Sequence, residues 1–139
     1  IIVPFFGLWY RAVMATKPTL LIIDDDPEMR GLYRDRFKEA GFEILEASNG
    51  EDGLEIALSQ QPSAILLDVM MPKKGGLGVL EILKTMPATK DIPVLILTAY
   101  PADEYKEKSL RYGAMSFLSK SETMPGDIVE KVKVLLSMP

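Results

Sequence analysis

The chain has no cysteine and no histidine. Without cysteine there are no disulfides and no thiolate metal sites. Without histidine there is no Ser-His-Asp or Cys-His machinery, no His-bearing zinc site and no phosphohistidine carrier. A positive excess is missing too: 16 Lys and Arg stand against 20 Asp and Glu, a formal net charge of -4. That argues against a general nucleic-acid binder. The uncharged opening, Ile1-Ile2-Val3-Pro4-Phe5-Phe6-Gly7-Leu8-Trp9-Tyr10, is too short to span a bilayer, which takes about 20 residues. It has no basic leading region, so it is a poor signal peptide. What remains is chemistry by carboxylates, hydroxyls and lysines, with a hard, oxygen-seeking cation as the natural helper.

What is present suffices for one packed domain. Of 139 residues, 47% are apolar and 26% charged, ordinary for a single globular unit. The chain is organised around Leu66-Leu67-Asp68-Val69-Met70-Met71-Pro72. The apolar run 64–67 reads as a buried strand that stops at a carboxylate, and Pro72 with Gly75-Gly76 makes a loop. The design repeats. Leu20-Leu21-Ile22-Ile23 ends at Asp24-Asp25-Asp26, Val94-Leu95-Ile96-Leu97 ends at Thr98, and the run 115–118 leads to Lys120. A more polar strand over 42–47 is expected near a sheet edge.

Helical patterns fill the gaps. Asp26 is placed to cap the first, with Pro27 in its first turn. Met29, Leu32, Tyr33, Phe37 and Ala40 give it an apolar face, and Gly41 ends it. Ser48 and Glu51 have capping-box spacing for the second helix, with Leu54, Ala57 and Leu58 on its inner side. Leu77, Leu80 and Leu83 mark the third, ended by Pro87. The fourth is weak, with Ala102, Tyr105 and Tyr112 its inward candidates. Pro125 opens the fifth, with Ile128, Val129, Val132, Leu135 and Leu136. Five strand–helix alternations predict an α/β fold with a parallel sheet and helices on both faces. Ligands sit at the carboxyl ends of such strands. The acids, Thr98 and Lys120 therefore converge if the first strand lies between the second and the third.

This set resembles the receiver domain of two-component response regulators, over residues 20–136. The resemblance is carried by Ile22-Ile23-Asp24-Asp25-Asp26, by Leu66-Leu67-Asp68-Val69-Met70-Met71-Pro72 with Gly76, by Pro93-Val94-Leu95-Ile96-Leu97-Thr98-Ala99, and by Gly113-Ala114 with Phe117 and Lys120. It implies a flavodoxin-like, doubly wound (βα)5 fold with strand order 2-1-3-4-5. Residues 17–139 are then the receiver domain. Residues 1–16 are a segment outside it: a remnant upstream of a natural start at Met14, a tail from a preceding domain, or an arm that docks on a neighbouring molecule.

The resemblance also implies roles. Asp68 is the phosphate acceptor, its carboxylate attacking a phosphoryl group. Asp24, Asp25, Asp68 and the Met70 backbone carbonyl hold magnesium (Mg²⁺), which relieves the repulsion among the acids. Lys120 is a point charge on the phosphoryl oxygens and Thr98 a hydroxyl donor to them. Thr98 and Phe117 form a switch, the ring swinging inward as Thr98 moves. The implied protein is cytoplasmic and catalyses only its own phosphorylation and dephosphorylation. A histidine kinase or histidine-phosphotransfer protein supplies the phosphoryl group. The face of the fourth helix, fifth strand and fifth helix then binds a downstream target protein or a second receiver, with a weak homodimer as one form. Direct nucleic-acid contact and membrane insertion are not expected. No output module follows the fifth helix, which leaves output to another protein or to a portion outside this sequence.

Two departures stand out. Receivers usually carry proline after the lysine, often in a cis bond; here Ser121 follows Lys120. A cis bond before a non-proline residue costs about 2.5–4 kcal/mol, so a trans bond and a less rigidly aimed lysine are expected. This departure feeds an alternative: a degenerate receiver that acts as a constitutive protein-binding module. The family's variable positions beside the acceptor are Met70 and Tyr100, and neither can position an attacking water, so slow phosphate loss is expected. A remoter alternative is a phosphatase of the haloacid dehalogenase type, since Asp24-Asp25-Asp26 gives Asp-x-Asp after the first strand. Against it stand Glu28, where that family has a small hydroxyl or apolar residue, and the short chain.

Overall fold

The computed structural model describes residues 17–71 and 75–138. The expected segment 1–16 therefore lies outside the described residues. Five strands alternate with five helices: β1 Thr19–Ile23, α1 Pro27–Glu39, β2 Glu43–Ala47, α2 Gly50–Gln60, β3 Ala64–Leu67, α3 Gly76–Thr85, β4 Val94–Thr98, α4 Asp103–Arg111, β5 Ser116–Ser119 and α5 Pro125–Leu135. The strands form one sheet, order β2-β1-β3-β4-β5, and every pairing is parallel. This is the expected doubly wound fold and strand order.

Side-chain alternation along the strands divides the core in two. Leu21, Ile23, Ile65, Leu67, Val94 and Ile96 face Ala57 of α2 and Val79, Leu80 and Leu83 of α3, with Tyr105 and Tyr112 packed at the rim. Leu20, Ile22, Leu66, Leu95 and Leu97 face Tyr33 and Phe37 of α1 and Ile128, Val129 and Val132 of α5. A strand covered on both faces must be apolar through its buried run, as 20–23 of β1, 64–67 of β3 and 94–97 of β4 are. β2 and β5 lie at the edges and are more polar, as expected for 42–47.

The local signals fare unevenly. Asp26 caps α1 as expected, its Oδ1 accepting from Glu28 N at 3.0 Å, with Pro27 in the first turn. The expected Ser48–Glu51 box is displaced by one residue. Asn49 is the N-cap of α2: its Oδ1 accepts from Asp52 N at 2.8 Å and its Nδ2 donates to Asp52 Oδ2 at 2.9 Å. The spacing is that of a capping box, but the return bond comes from the Asn49 side-chain amide and not from its backbone N–H; Asn49 has the extended backbone of a cap. Leu32 and Leu58 face outward, 44% and 40% exposed. Each is one residue, about 100°, off the line that its helix buries. In α4 the expected Ala102 is exposed and the buried residue is Ser109.

Glycine 76 is fixed by space rather than torsion. A Cβ there would collide with the Asp68 carbonyl oxygen and Val69 Cα. Helix α3 thus starts directly on the backbone of the acidic strand tip. In contrast, a Cβ at Gly31 in α1 meets nothing closer than 3.5 Å. Gly76→Ala should lower urea-denaturation stability by about 1–3 kcal/mol through overpacking. Gly31→Ala should raise it by about 0.5–1 kcal/mol. A Gly76→Ala protein as stable as the parent would contradict the contact.

Candidate functional site

The parallel register brings four strand ends to one rim. Ile23 pairs with Leu67, and Thr98 with Ser119. The next residues of three of these strands are Asp24, Asp68 and Lys120. Their backbones continue the ladder: Asp68 N–H donates to Ile23 O at 3.0 Å, Asp24 N–H to Ala47 O at 3.1 Å, and Lys120 N–H to Thr98 O at 2.8 Å. Each of the three side chains thus stands one residue past a strand end, its backbone N–H tied to a neighbouring strand.

Asp24 and Asp68 are buried, 3% and 6% exposed, whereas Asp25 is open to solvent. One oxygen from each of the three lies within 4.8 Å of the others. Lys120 Nζ bridges the buried pair, 2.6 Å from Asp24 Oδ2 and 3.3 Å from Asp68 Oδ2. The remaining oxygens are engaged by backbone. Asp24 Oδ1 accepts from Asp26 N–H at 3.0 Å, and Asp68 Oδ1 from Met70 N–H at 2.9 Å.

Burial pushes the Asp68 carboxyl up to about 6. The Met70 N–H and the Lys120 charge pull it down, and the Asp24 charge pushes it up further. Burial would lower the Lys120 ammonium, but its hydrogen bond to Asp24 and the charges of both acids outweigh that and hold it above the ordinary lysine value. An all-oxygen donor set on three converging carboxylates suits a hard divalent cation such as Mg²⁺.

The other expected residues are close by. Thr98 is fully buried at the end of β4, and its Oγ1 accepts from Tyr100 N–H at 3.1 Å. Met70 and Tyr100 are exposed, 37% and 63%. Phe117 pairs with Ile96 across β4 and β5 and packs, half-buried, against the core on that face. Thr98 and Phe117 therefore share a sheet face two residues apart in register. The Lys120–Ser121 bond is trans, as expected from the missing proline.

Residues with no chemical signal in the sequence also shape the site. Arg30 Nη1 donates to Asp24 O at 2.8 Å while its Nε meets Glu46 Oε1 at 3.2 Å. Tyr33, read only as a core position of α1, lines a cavity of about 10 Å³ with Asp24 and Asp68. Burial raises its hydroxyl pKa, the Lys120 charge opposes this, and Asp24 adds to it. Its position on the apolar face was legible; its reach to the acids was not.

A doubly wound parallel sheet with acids and a lysine on its carboxyl rim defines the flavodoxin-like class that the sequence pattern pointed to. Comparison with known proteins narrows it. The family model for the response regulator receiver domain matches residues 20–133. The chain is 38% identical over 122 residues to the DNA-binding dual master transcriptional regulator RpaA of Synechocystis, covering 86% of this chain and 49% of that one. It is 33% identical over 118 residues to the phosphate regulon transcriptional regulatory protein PhoB of Pseudomonas aeruginosa, covering 85% and 51%. It thus spans about half the length of these curated relatives. Among solved structures, a response regulator from Burkholderia multivorans matches at 35% identity and a TM-score of 0.72, covering 89% of this chain and 98% of that one. The receiver domain of Francisella response regulator 1452 matches at 27% and 0.79, covering 87% and 98%. The chain belongs to the response regulator receiver family, a two-component signalling module. The dehalogenase-type reading falls with that assignment.

The raised Asp68 carboxyl has a consequence for stability. Its value is about 6 in the fold against 3.8 ordinarily. The fold therefore binds the proton more tightly than the unfolded chain. The stability this contributes is fully present below about 3.8 and lost as pH rises through about 6. In the metal-free domain, Asp68→Asn should then be more stable than the parent at pH 7.5, by on the order of 2 kcal/mol. The gap should close as pH falls from 7 to 4. Urea titrations across that range check it; a gap that does not shrink would refute the assignment.

Proposed function

We propose that Asp68 is the phosphoacceptor of a two-component signalling switch. The observation that carries this is the buried Asp68 carboxylate on the tip of β3, with the Lys120 ammonium at 3.3 Å and two further carboxylates beside it. A carboxylate oxygen of Asp68 forms a bond to phosphorus. The bond from phosphorus to a donor nitrogen breaks, and its electron pair stays on that nitrogen, which picks up a proton. The donor is a phosphohistidine on a kinase or phosphotransfer protein, since this chain has no histidine of its own. A phosphorylated small molecule of the acyl phosphate type can take its place, the Asp68 oxygen then displacing a carboxylate.

Asp24, Asp25, Asp68 and the Met70 carbonyl would hold Mg²⁺. When bound, the ion offsets the negative charge gathered around the transferring group. Lys120 orients and neutralises phosphoryl oxygens as a compact charge, and Thr98 donates its hydroxyl to one of them. Thr98 thereby gives up its bond to the Tyr100 N–H, and Phe117, on the same face, follows it inward. The α4–β5–α5 face changes shape and takes up a downstream protein or a second receiver, including a weak homodimer. The relatives' names as transcriptional regulators support an output in gene control. At -4 the receiver itself makes no nucleic-acid contact in this reading, and we place it in the cytoplasm. Catalysis is confined to its own phosphorylation and dephosphorylation.

Incubation with an acyl phosphate and Mg²⁺ should add one phosphoryl group by mass spectrometry, and Asp68→Ala should add none. Thr98→Ala should retain acceptance but lose most of the chemical-shift change in α4 and β5. If beryllofluoride with Mg²⁺ changes nothing in the parent, the chain is instead a constitutive binding module. Met70 and Tyr100 offer no group to position a hydrolytic water, so the phosphoryl group should persist for minutes or longer after donor removal. Loss within seconds would overturn that part.

A further inference from the structure

Lys120 is a long, flexible side chain on the central residue of a turn, and the turn contains neither proline nor glycine. Its head is held by two carboxylates, but its stem needs an anchor of its own, because the head must leave Asp24 to reach a phosphoryl group. Three contacts supply one. The Lys120 N–H donates to Thr98 O at 2.8 Å, and the Glu122 N–H closes the turn on Ser119 O at 3.3 Å. The third is made of side chains: Ser119 Oγ and Ser121 Oγ lie 2.9 Å apart, a hydrogen bond across the lysine in which either hydroxyl can donate.

The two serines differ in surroundings. Ser119 is buried, 6% exposed, whereas Ser121 is open to solvent. A buried hydroxyl left without a partner is costly, and Ser121 is the side chain that Ser119 meets. An exposed serine would otherwise turn its hydroxyl to water. Here it points back over the lysine and ties the residue after Lys120 to the residue before it.

We propose that Ser121 is a positioning residue for Lys120, acting through the Ser119 hydroxyl to fix the direction in which the lysine stem leaves the backbone. This deepens the phosphoacceptor reading and rests on it where rate is concerned. The geometric half of the claim stands without it.

Four proteins test it: the parent, Ser121→Ala, Ser121→Thr, and the double variant Ser119→Ala/Ser121→Ala. In the metal-free domain, nuclear Overhauser contacts from the Lys120 side chain to the Asp24 and Asp68 β-protons should be strong in the parent and in Ser121→Thr. They should weaken in Ser121→Ala and in the double variant. With acyl phosphate and Mg²⁺, the rate of phosphoryl acceptance should fall about three- to tenfold in Ser121→Ala, the range one net hydrogen bond carries, and return to the parent value in Ser121→Thr. The double variant should recover urea stability, since no buried hydroxyl is then orphaned, yet stay slow. A Ser121→Ala protein with parent contacts and parent rate overturns the proposal. So does a double variant that recovers rate along with stability, which would make the bridge merely structural. A parent that accepts no phosphoryl group defeats the functional reading alone, and the Overhauser contacts then decide the positioning claim.

Discussion

Two buried carboxylates facing one another cannot both stay charged without a cation between them. Asp24 and Asp68 meet that condition through Lys120, which is 96 residues from one and 52 from the other in sequence. The ion pair therefore exists only when β1, β3 and β5 are all in register. Lys120 leaves β5 and reaches past the end of β4 to two strands beyond it. Assembly of the sheet and assembly of the acidic rim are one event. The rim is also under electrostatic tension: the lysine sits closer to Asp24 than to Asp68, and Asp68 holds its proton to about pH 6. Its chemistry starts from charges already brought together at the expense of their hydration.

Much of this was legible in the residues. The runs 20–23, 64–67 and 94–97 are apolar throughout because both faces are covered, and that signal survives without any knowledge of neighbours. A strand that stops dead at Asp, Thr or Lys marks the rim, so Asp24, Asp68, Thr98 and Lys120 could be named from the sequence. Legibility failed where the answer depends on angle rather than type. Leu32 and Leu58 are apolar and correctly spaced, yet lie about 100° off the buried line. Ser48–Glu51 and Asn49–Asp52 both have cap spacing one residue apart, and spacing alone does not choose between them. Tyr33 and Arg30 carried no chemical signal, because their approach to the acids depends on how α1 packs on the sheet. The Ser119–Ser121 bridge was hidden for a related reason: two serines flanking a lysine are commonplace until a turn folds them together.

Family membership and site geometry answer different questions. The receiver match over residues 20–133 establishes the module. The geometry answers a narrower question: which atoms could share a phosphoryl group. Those atoms sit on three strand extensions and on the buried end of a fourth strand, so a partner can approach only from the carboxyl edge of the sheet. Thr98 and Phe117 on one face link that edge to the packing beneath α4, whose poor apolar face leaves it loosely committed to the core. Ser109 is the only buried residue of that helix, and its hydroxyl has no partner among the described residues.

Helix α3 begins on bare backbone. With hydrogen as its only side chain, Gly76 brings the first turn of the helix against the Asp68 peptide, and nothing soft lies between them. Most helices in a sandwich of this kind ride on a cushion of rotatable side chains, which absorbs small displacements of the strand beneath. Here the cushion is absent at one spot. Any tilt of the acidic peptide plane is handed undamped to the end of a ten-residue rod, so the third helix works as a pointer mounted on the acid itself.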